Sequence, residues 1–243
     1  MADKPHIVIA EDNPRDREYL LKTFADDYQL ELTDSATKAL AIAREYPEPY
    51  LISDLQMPEM NGVELAKQLW QARPNARILF WSHYGDETYI RALSKIIPEE
   101  TVYGYIIKDN PSNILKKAAS AIFNDCQCWL DPKLKAIQAR SKSPHSAISD
   151  VEYEVLIDIA LGLTDNMIAQ RRYLSRRGAQ NRLKSLYNKL EVGHELAQNN
   201  SEAMNLRTRA VSVATRRGLI NSFELENEEN IFQDWLKQNK STT

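Results

Sequence analysis

Five short apolar runs punctuate the first half of the chain: Ile7-Val8-Ile9-Ala10, Leu30-Glu31-Leu32-Thr33, Tyr50-Leu51-Ile52-Ser53, Ile78-Leu79-Phe80-Trp81 and Tyr105-Ile106-Ile107. Helical patterns over 15–24, 35–45, 63–72, 87–95 and 113–123 alternate with them. Strands of about four residues that are apolar throughout belong in a sheet covered on both faces, and a helix after each strand supplies that cover. The repeat predicts a five-stranded parallel α/β domain. In such sheets ligands sit beyond the carboxyl ends of the strands, so the residues that follow each apolar run are the ones that carry chemistry.

The remaining chain reads differently. A length of 243 residues suits two domains, and the βα pattern fades after Leu130 into Asp131-Pro132-Lys133 and a stretch rich in Lys, Ser and Pro that ends near His145. Helical segments follow at 150–161, 165–170, 175–190 and 209–217, with a polar insertion at 193–205. The expected division is a first domain over 1–130, a linker over 131–147, an all-α four-helix domain over 148–222 and an acidic tail over 223–243, in which Phe232, Trp235 and Leu236 fit a short docked helix. Charge follows the same blocks: residues 1–130 are net −6, residues 131–220 net +6 and residues 221–243 net −3. An acidic domain followed by a basic one directs only the second toward a polyanion. No apolar run approaches the roughly 18 residues that span a bilayer, and the N-terminus has no signal-peptide core, so a soluble, cytoplasmic protein without a membrane partner is expected. Cys126 and Cys128 are too close together for an ordinary structural disulfide and have no second pair to complete a zinc site, which fits a reducing compartment.

Three strand ends carry ionisable groups: Glu11-Asp12 after the first, Asp54 after the third and Lys108 after the fifth. Neighbouring parallel strands lie about 5 Å apart, so these carboxylates crowd into one pocket. Like charges so close call for a cation, and oxygen ligands favour a hard divalent ion, Mg²⁺. A metal, a lysine and a carboxylate nucleophile together neutralise the charge that develops on a transferred phosphoryl group. Pro58 and Gly62 mark a tight turn after Asp54.

With these four groups in order and Pro and Gly at +4 and +8 from Asp54, residues 5–128 closely resemble the receiver domain of bacterial two-component response regulators. The resemblance implies a flavodoxin-like fold. It implies that a sensor histidine kinase phosphorylates Asp54, that Glu11, Asp12, Asp54 and the Gln56 carbonyl place Mg²⁺, and that Lys108 pairs with the phosphoryl oxygens. Ser82 matches the hydroxyl that moves to the phosphoryl group and Tyr105 the aromatic that turns inward with it, a two-state element biased by a local charge. Two departures stand out: His83 and Tyr84 follow Ser82 where receivers carry a small residue, and Pro98 breaks the stretch that leads to Gly104.

Between Asn166 and Leu190 there are seven cationic residues, Arg171, Arg172, Arg176, Arg177, Arg182, Lys184 and Lys189, and no acidic one. Ser175 is an N-cap candidate, and the helix it opens carries Arg176, Arg177, Gln180, Asn181, Arg182 and Lys184, residue types that contact bases and phosphates in the major groove. The order Glu154-Val155-Leu156, Gly162-Leu163-Thr164, Ile168-Ala169, Leu174-Ser175 and Lys189-Leu190 resembles the LuxR-type helix-turn-helix of the NarL/FixJ class over residues 148–220. Together the two resemblances imply a phosphorylation-controlled transcription regulator that binds double-stranded DNA as a homodimer. The alternative is a receiver whose helical output domain binds a protein partner, with atypical or phosphorylation-independent input; Gly178 in the recognition segment and the 193–205 insertion point that way. An enzyme is not expected, because a phosphohydrolase of this kind needs a second carboxylate two residues after its nucleophile, where Gln56 stands.

Overall fold

The computed structural model describes residues 4–83, 85, 87–135, 147–192 and 205–240, with backbone alone at Phe223 and Lys240. Tyr84, most of the expected linker and all but Asn205 of the 193–205 insertion lie outside the described residues. The chain divides into two compact units, the first of residues 1–85 and 89–136 and the second of residues 86–88 and 137–243.

In the first unit the elements run β1 (His6–Ala10), α1 (Pro14–Phe24), β2 (Gln29–Thr33), α2 (Ala36–Ala43), β3 (Tyr50–Ser53), α3 (Gly62–Ala72), β4 (Arg77–Ser82), α4 (Glu87–Ile96), β5 (Tyr103–Ile107), α5 (Ser112–Phe123) and β6 (Trp129–Leu130). All strand pairs are parallel, in the order β2-β1-β3-β4-β5-β6. Ile7, Val8, Ile9 and Ala10 are fully buried, as are Leu51 and Ile52, so side chains on both faces of the central strands meet helices. Helix starts are set by side-chain caps: Asn13 accepts from the Arg15 amide before Pro14, and Asn61 accepts from the Glu64 amide.

Register decides where the chemistry falls. Ala10 pairs with Ser53 and Ser82 with Ile107, so Glu11, Asp54 and Lys108 each lie one residue beyond a strand end along the same edge. The ladder continues there, with the Asp54 amide donating to the Ala10 carbonyl and the Lys108 amide to the Ser82 carbonyl, both at 2.9 Å. The turn after Asp54 folds back until the Gly62 amide reaches the Leu55 carbonyl at 3.0 Å. A Cβ on Gly62 would lie 2.1 Å from the Asp54 carbonyl oxygen, so no other residue fits this approach.

Two residues are too few to show a period, and β6 was therefore invisible as an alternating pattern. It adds a sixth strand at the β5 edge. Asp131 follows it and is buried, its carboxylate accepting from the Ile107 amide and from Asn110 Nδ2, so the first unit extends past the point where composition alone starts a linker.

The second unit contains α6 (Asp150–Ala160), α7 (Asp165–Arg171), α8 (Arg176–Lys189), α9 (Leu206–Arg216) and α10 (Ser222–Lys240). Ser149, Thr164, Ser175 and Asn205 cap the first four. Val155, Leu156, Ile168, Ala179, Leu186 and Ala210 form the centre of its core. Phe232 joins them from α10, so the acidic C-terminal stretch is a packed helix.

Glu152 ties two of these helices together. It completes the capping box of α6, accepting from the Ser149 amide at 2.7 Å. It also accepts from Ser185 Oγ and Lys189 Nζ of α8, both at 2.6 Å, while only 2% exposed. Burial alone would push the carboxyl up; the Lys189 ammonium, the Ser185 hydroxyl and the Ser149 cap outweigh it and hold the pKa at about 2. The carboxylate thus contributes stability fully above its ordinary 4.5, and this is lost as pH falls through the folded value of about 2. The difference corresponds to on the order of 3 kcal/mol at neutral pH. Glu152→Gln is expected to lower unfolding free energy most at neutral pH, with the gap to wild type narrowing below pH 4.5; denaturant titrations across pH measure it.

Candidate functional site

At the carboxyl edge of the sheet, Lys108 is the organising group. Its Nζ lies 2.7 Å from Glu11 Oε2, 2.8 Å from Asp16 Oδ2 and 3.0 Å from Asp54 Oδ2, with the side chain 2% exposed. Behind it the Trp81 ring centroid is 4.7 Å from the ammonium, which suits a desolvated cation. Burial tends to lower the lysine's pKa, but the Asp54 and Glu11 charges and the bonds to Asp16 and Glu11 raise it, so the group stays charged. Glu11 is fully buried, and burial, followed by the Asp54 charge, lifts its carboxyl to about 7 against the pull of Lys108.

Carboxylate oxygens of Glu11, Asp12 and Asp54 lie within 4.8 Å of one another, a donor set that could hold a metal ion. The loop carrying the first two is fixed by Arg17, whose Nη1 donates to the carbonyls of Glu11 and Asp12 at 2.6 and 2.8 Å. Asp54 Oδ1 accepts from the Leu55 amide at 2.6 Å and, more weakly, from Gln56 at 3.4 Å, which leaves Oδ2 toward Lys108. The Ser82 hydroxyl is fully buried and has no hydrogen-bond partner among the described residues. Tyr105 is buried, its ring edge-on to Phe80 at 6.3 Å. His83 is on the rim, its Nε2 3.4 Å from Asp16 Oδ2. Asp16 is the residue that sequence missed: it lies in the first turn of α1, four residues after Asp12, and nothing in its neighbourhood along the chain announces that Lys108 reaches it.

Residues 7–120 match the family model for the response regulator receiver domain. The transcriptional regulatory protein DegU of Brevibacillus brevis is 23% identical over 243 aligned positions, covering 90% of this chain and 96% of its own. ComA of Bacillus subtilis is 28% identical over 180, covering 70% and 76%. The first unit is a response regulator receiver domain. A structure of two RcsB dimers bound to two parallel DNAs superposes with a TM-score of 0.57 at 20% identity, covering 75% of this chain and 90% of that chain, which establishes a shared fold. Among the described residues, no helix of the chain is long and apolar enough to cross a membrane.

In its second unit the seven cations of the basic run separate into two kinds. Arg171 and Arg172 converge on the fully buried Asp158: Arg171 Nη1 donates at 2.6 Å, and Arg172 donates from Nε and Nη2 at 2.8 and 2.9 Å. Arg171 also reaches Glu228 at 3.1 Å and lies over the Phe232 ring, which joins α6, α7 and α10. Lys189 is held by Glu152. Arg176, Arg177, Arg182 and Lys184, by contrast, are exposed along α8 and make no ion pair among the described residues. Asn181 is exposed beside them. Gln180 is exposed but engaged, its Nε2 3.1 Å from Asp165 Oδ2, a carboxylate that also pairs with Arg207. Tyr173, 94% exposed at φ 53° in the turn before α8, presents an aromatic ring that no periodicity singled out. Asp158→Ala leaves two largely buried guanidiniums without their acceptor and is expected to cost about 3–5 kcal/mol in denaturant unfolding. Arg176→Ala should stay within about 0.5 kcal/mol of wild type in the same measurement.

Proposed function

We propose that this chain is a phosphorylation-controlled, DNA-binding transcription regulator of a two-component system, accepting a phosphoryl group from a sensor histidine kinase on Asp54. The observation that carries this reading is the buried Lys108 ammonium 3.0 Å from Asp54 Oδ2, among carboxylates close enough to share a cation. In the transfer, an Asp54 carboxylate oxygen bonds to phosphorus as the P–N bond of a phosphohistidine breaks and the imidazole departs. Lys108 meets the phosphoryl oxygens, and the buried Ser82 hydroxyl, which has no partner among the described residues, supplies a donor to them. Tyr105 is the aromatic that follows Ser82.

Glu11, Asp12 and Asp54 with the Gln56 carbonyl would hold Mg²⁺. The donor set fits, being all oxygen, and a divalent cation would offset both the burial and the Asp54 charge that lift Glu11 to about 7. Bound there, the ion neutralises charge on the phosphoryl group.

For the output, the four exposed cations of α8, unpaired among the described residues, with Asn181 and Gln180, support double-stranded DNA as the partner over a protein surface, since guanidinium and ammonium groups in a row match phosphates. The relatives named as transcriptional regulators and the DNA-bound RcsB dimers support the same reading and a homodimer on DNA.

Intact-mass measurement with acetyl phosphate and Mg²⁺ is expected to add one phosphoryl group to the wild type and none to Asp54→Ala; equal uptake by both overturns the assignment. On DNA, Arg176→Ala, Arg182→Ala and Lys184→Ala should each flatten the salt dependence of binding by about one charge, while Gln180→Ala relaxes preference at one base position by about 1–3 kcal/mol. Isotherms at several salt concentrations that none of the four moves would transfer the output to a protein partner.

A further inference from the structure

An ammonium has three N–H donors, and on Lys108 all three are taken: by Glu11, Asp54 and Asp16. The first two belong to the site described above. Asp16 does not, and its carboxylate stands where it both occupies a donor and places a further negative charge beside the position a phosphoryl group would take. A phosphoryl group on Asp54 inherits the donor now given to Asp54 Oδ2. A second Lys108 contact to that group requires another acceptor to let go. Glu11 is fully buried and also held by the Asn13 amide at 3.1 Å. Asp16 is 20% exposed on its side chain, and the same oxygen that faces Lys108 lies 3.4 Å from His83 Nε2 on the rim. Asp16 is therefore the acceptor that can be released, with His83 beside it to receive it.

We propose that Asp16 is a built-in competitor of the phosphoryl group for Lys108, limiting how readily Asp54 is phosphorylated and swinging toward His83 when the phosphoryl group arrives. This rests on the reading of Asp54 as the phosphoryl acceptor. Asp16 acts through Lys108 and touches neither the metal nor phosphorus. Its charge opposes an incoming phosphate but helps to attract a cation, so its removal should speed phosphoryl uptake without strengthening Mg²⁺ binding. A side chain that merely supported the fold would move both in the same direction.

The test uses the full chain, with acetyl phosphate as donor; acetate leaves as an Asp54 oxygen bonds to phosphorus. Phosphoryl uptake is followed by intact mass at saturating Mg²⁺, and Mg²⁺ affinity is measured separately by calorimetry. Asp16→Asn should take up the phosphoryl group about tenfold faster than wild type, with Mg²⁺ affinity equal or weaker. Asp16→Glu, which keeps the charge, should stay near the wild-type rate. Asp16→Ser guards against a folding defect in the amide variant, with circular dichroism confirming that each chain is folded. Uptake by folded Asp16→Asn and Asp16→Ser that is no faster than wild type overturns the competition while leaving Asp54 as the acceptor. Faster uptake accompanied by tighter Mg²⁺ binding overturns it too, because the effect would then run through the metal. Absence of uptake at Asp54 in every chain removes the underlying reading and the competition with it, a pattern distinct from both.

Discussion

A cation buried at 2% exposure is tolerated only where its donors are all met, and Lys108 meets them with three carboxylates drawn from three places in the chain. Everything else in the first unit serves that arrangement. The parallel register brings the ends of β1, β3 and β5 to one edge, the Arg17 guanidinium pins the loop after β1, and Gly62 lets the loop after β3 close on the Asp54 carbonyl. The cost of keeping three carboxylates on one buried lysine shows at Glu11, the most buried of them, whose proton affinity rises because water cannot share its charge. A site in that state is primed for a change in its charge balance, the property a phosphoryl switch needs.

The second unit handles charge by sorting it. Asp158 and Glu152, buried inside a domain that is basic in sequence, each draw cations inward and fix helices against one another. Three of the seven cations are removed from the surface in this way, and the other four, along α8, make no ion pair among the described residues. A sequence count of positive residues therefore overstates what faces a polyanion, while the distinction between structural and free cations sharpens which substitutions report on DNA and which report on folding. Glu152 has a double effect, since the carboxylate that caps α6 also holds Ser185 and Lys189 and so fixes the helix that bears the free cations.

Most of the first unit was legible because its strands are apolar throughout and its helices carry caps; Ile7 to Ala10 or Ile78 to Trp81 have no other reading in a chain of this kind. Glu11, Asp12, Asp54 and Lys108 were legible for a related reason, each following a strand end directly. What escaped follows from distance or brevity. β6 has two residues and no period. Asp16 reaches Lys108 across 92 positions of sequence, and Asp158 gathers Arg171 and Arg172 from the next helix, contacts that no local pattern encodes. The C-terminal stretch was legible in part: Glu224, Glu226, Glu228 and Glu229 read as an acidic tail and the Phe232, Trp235 and Leu236 pattern after them as a docked helix, but no local pattern showed that Glu228 completes the Arg171 network.

The place of Asp16 on α1 bears on how a competing carboxylate is kept available. It lies in the first turn of an α-helix whose cap is satisfied by Asn13. The amino end of a helix carries a partial positive charge that stabilises an anion by roughly 0.3–1 kcal/mol. An Asp16 that leaves Lys108 is therefore not stranded: the helix terminus offsets its charge and the His83 ring lies beside it. Glu11 has no such refuge, since leaving Lys108 would give up its closest cation without a path to water. Two carboxylates on one ammonium thus differ in how expensive they are to release, and that difference, set by burial and helix position rather than by residue type, decides which of them yields to a phosphoryl group.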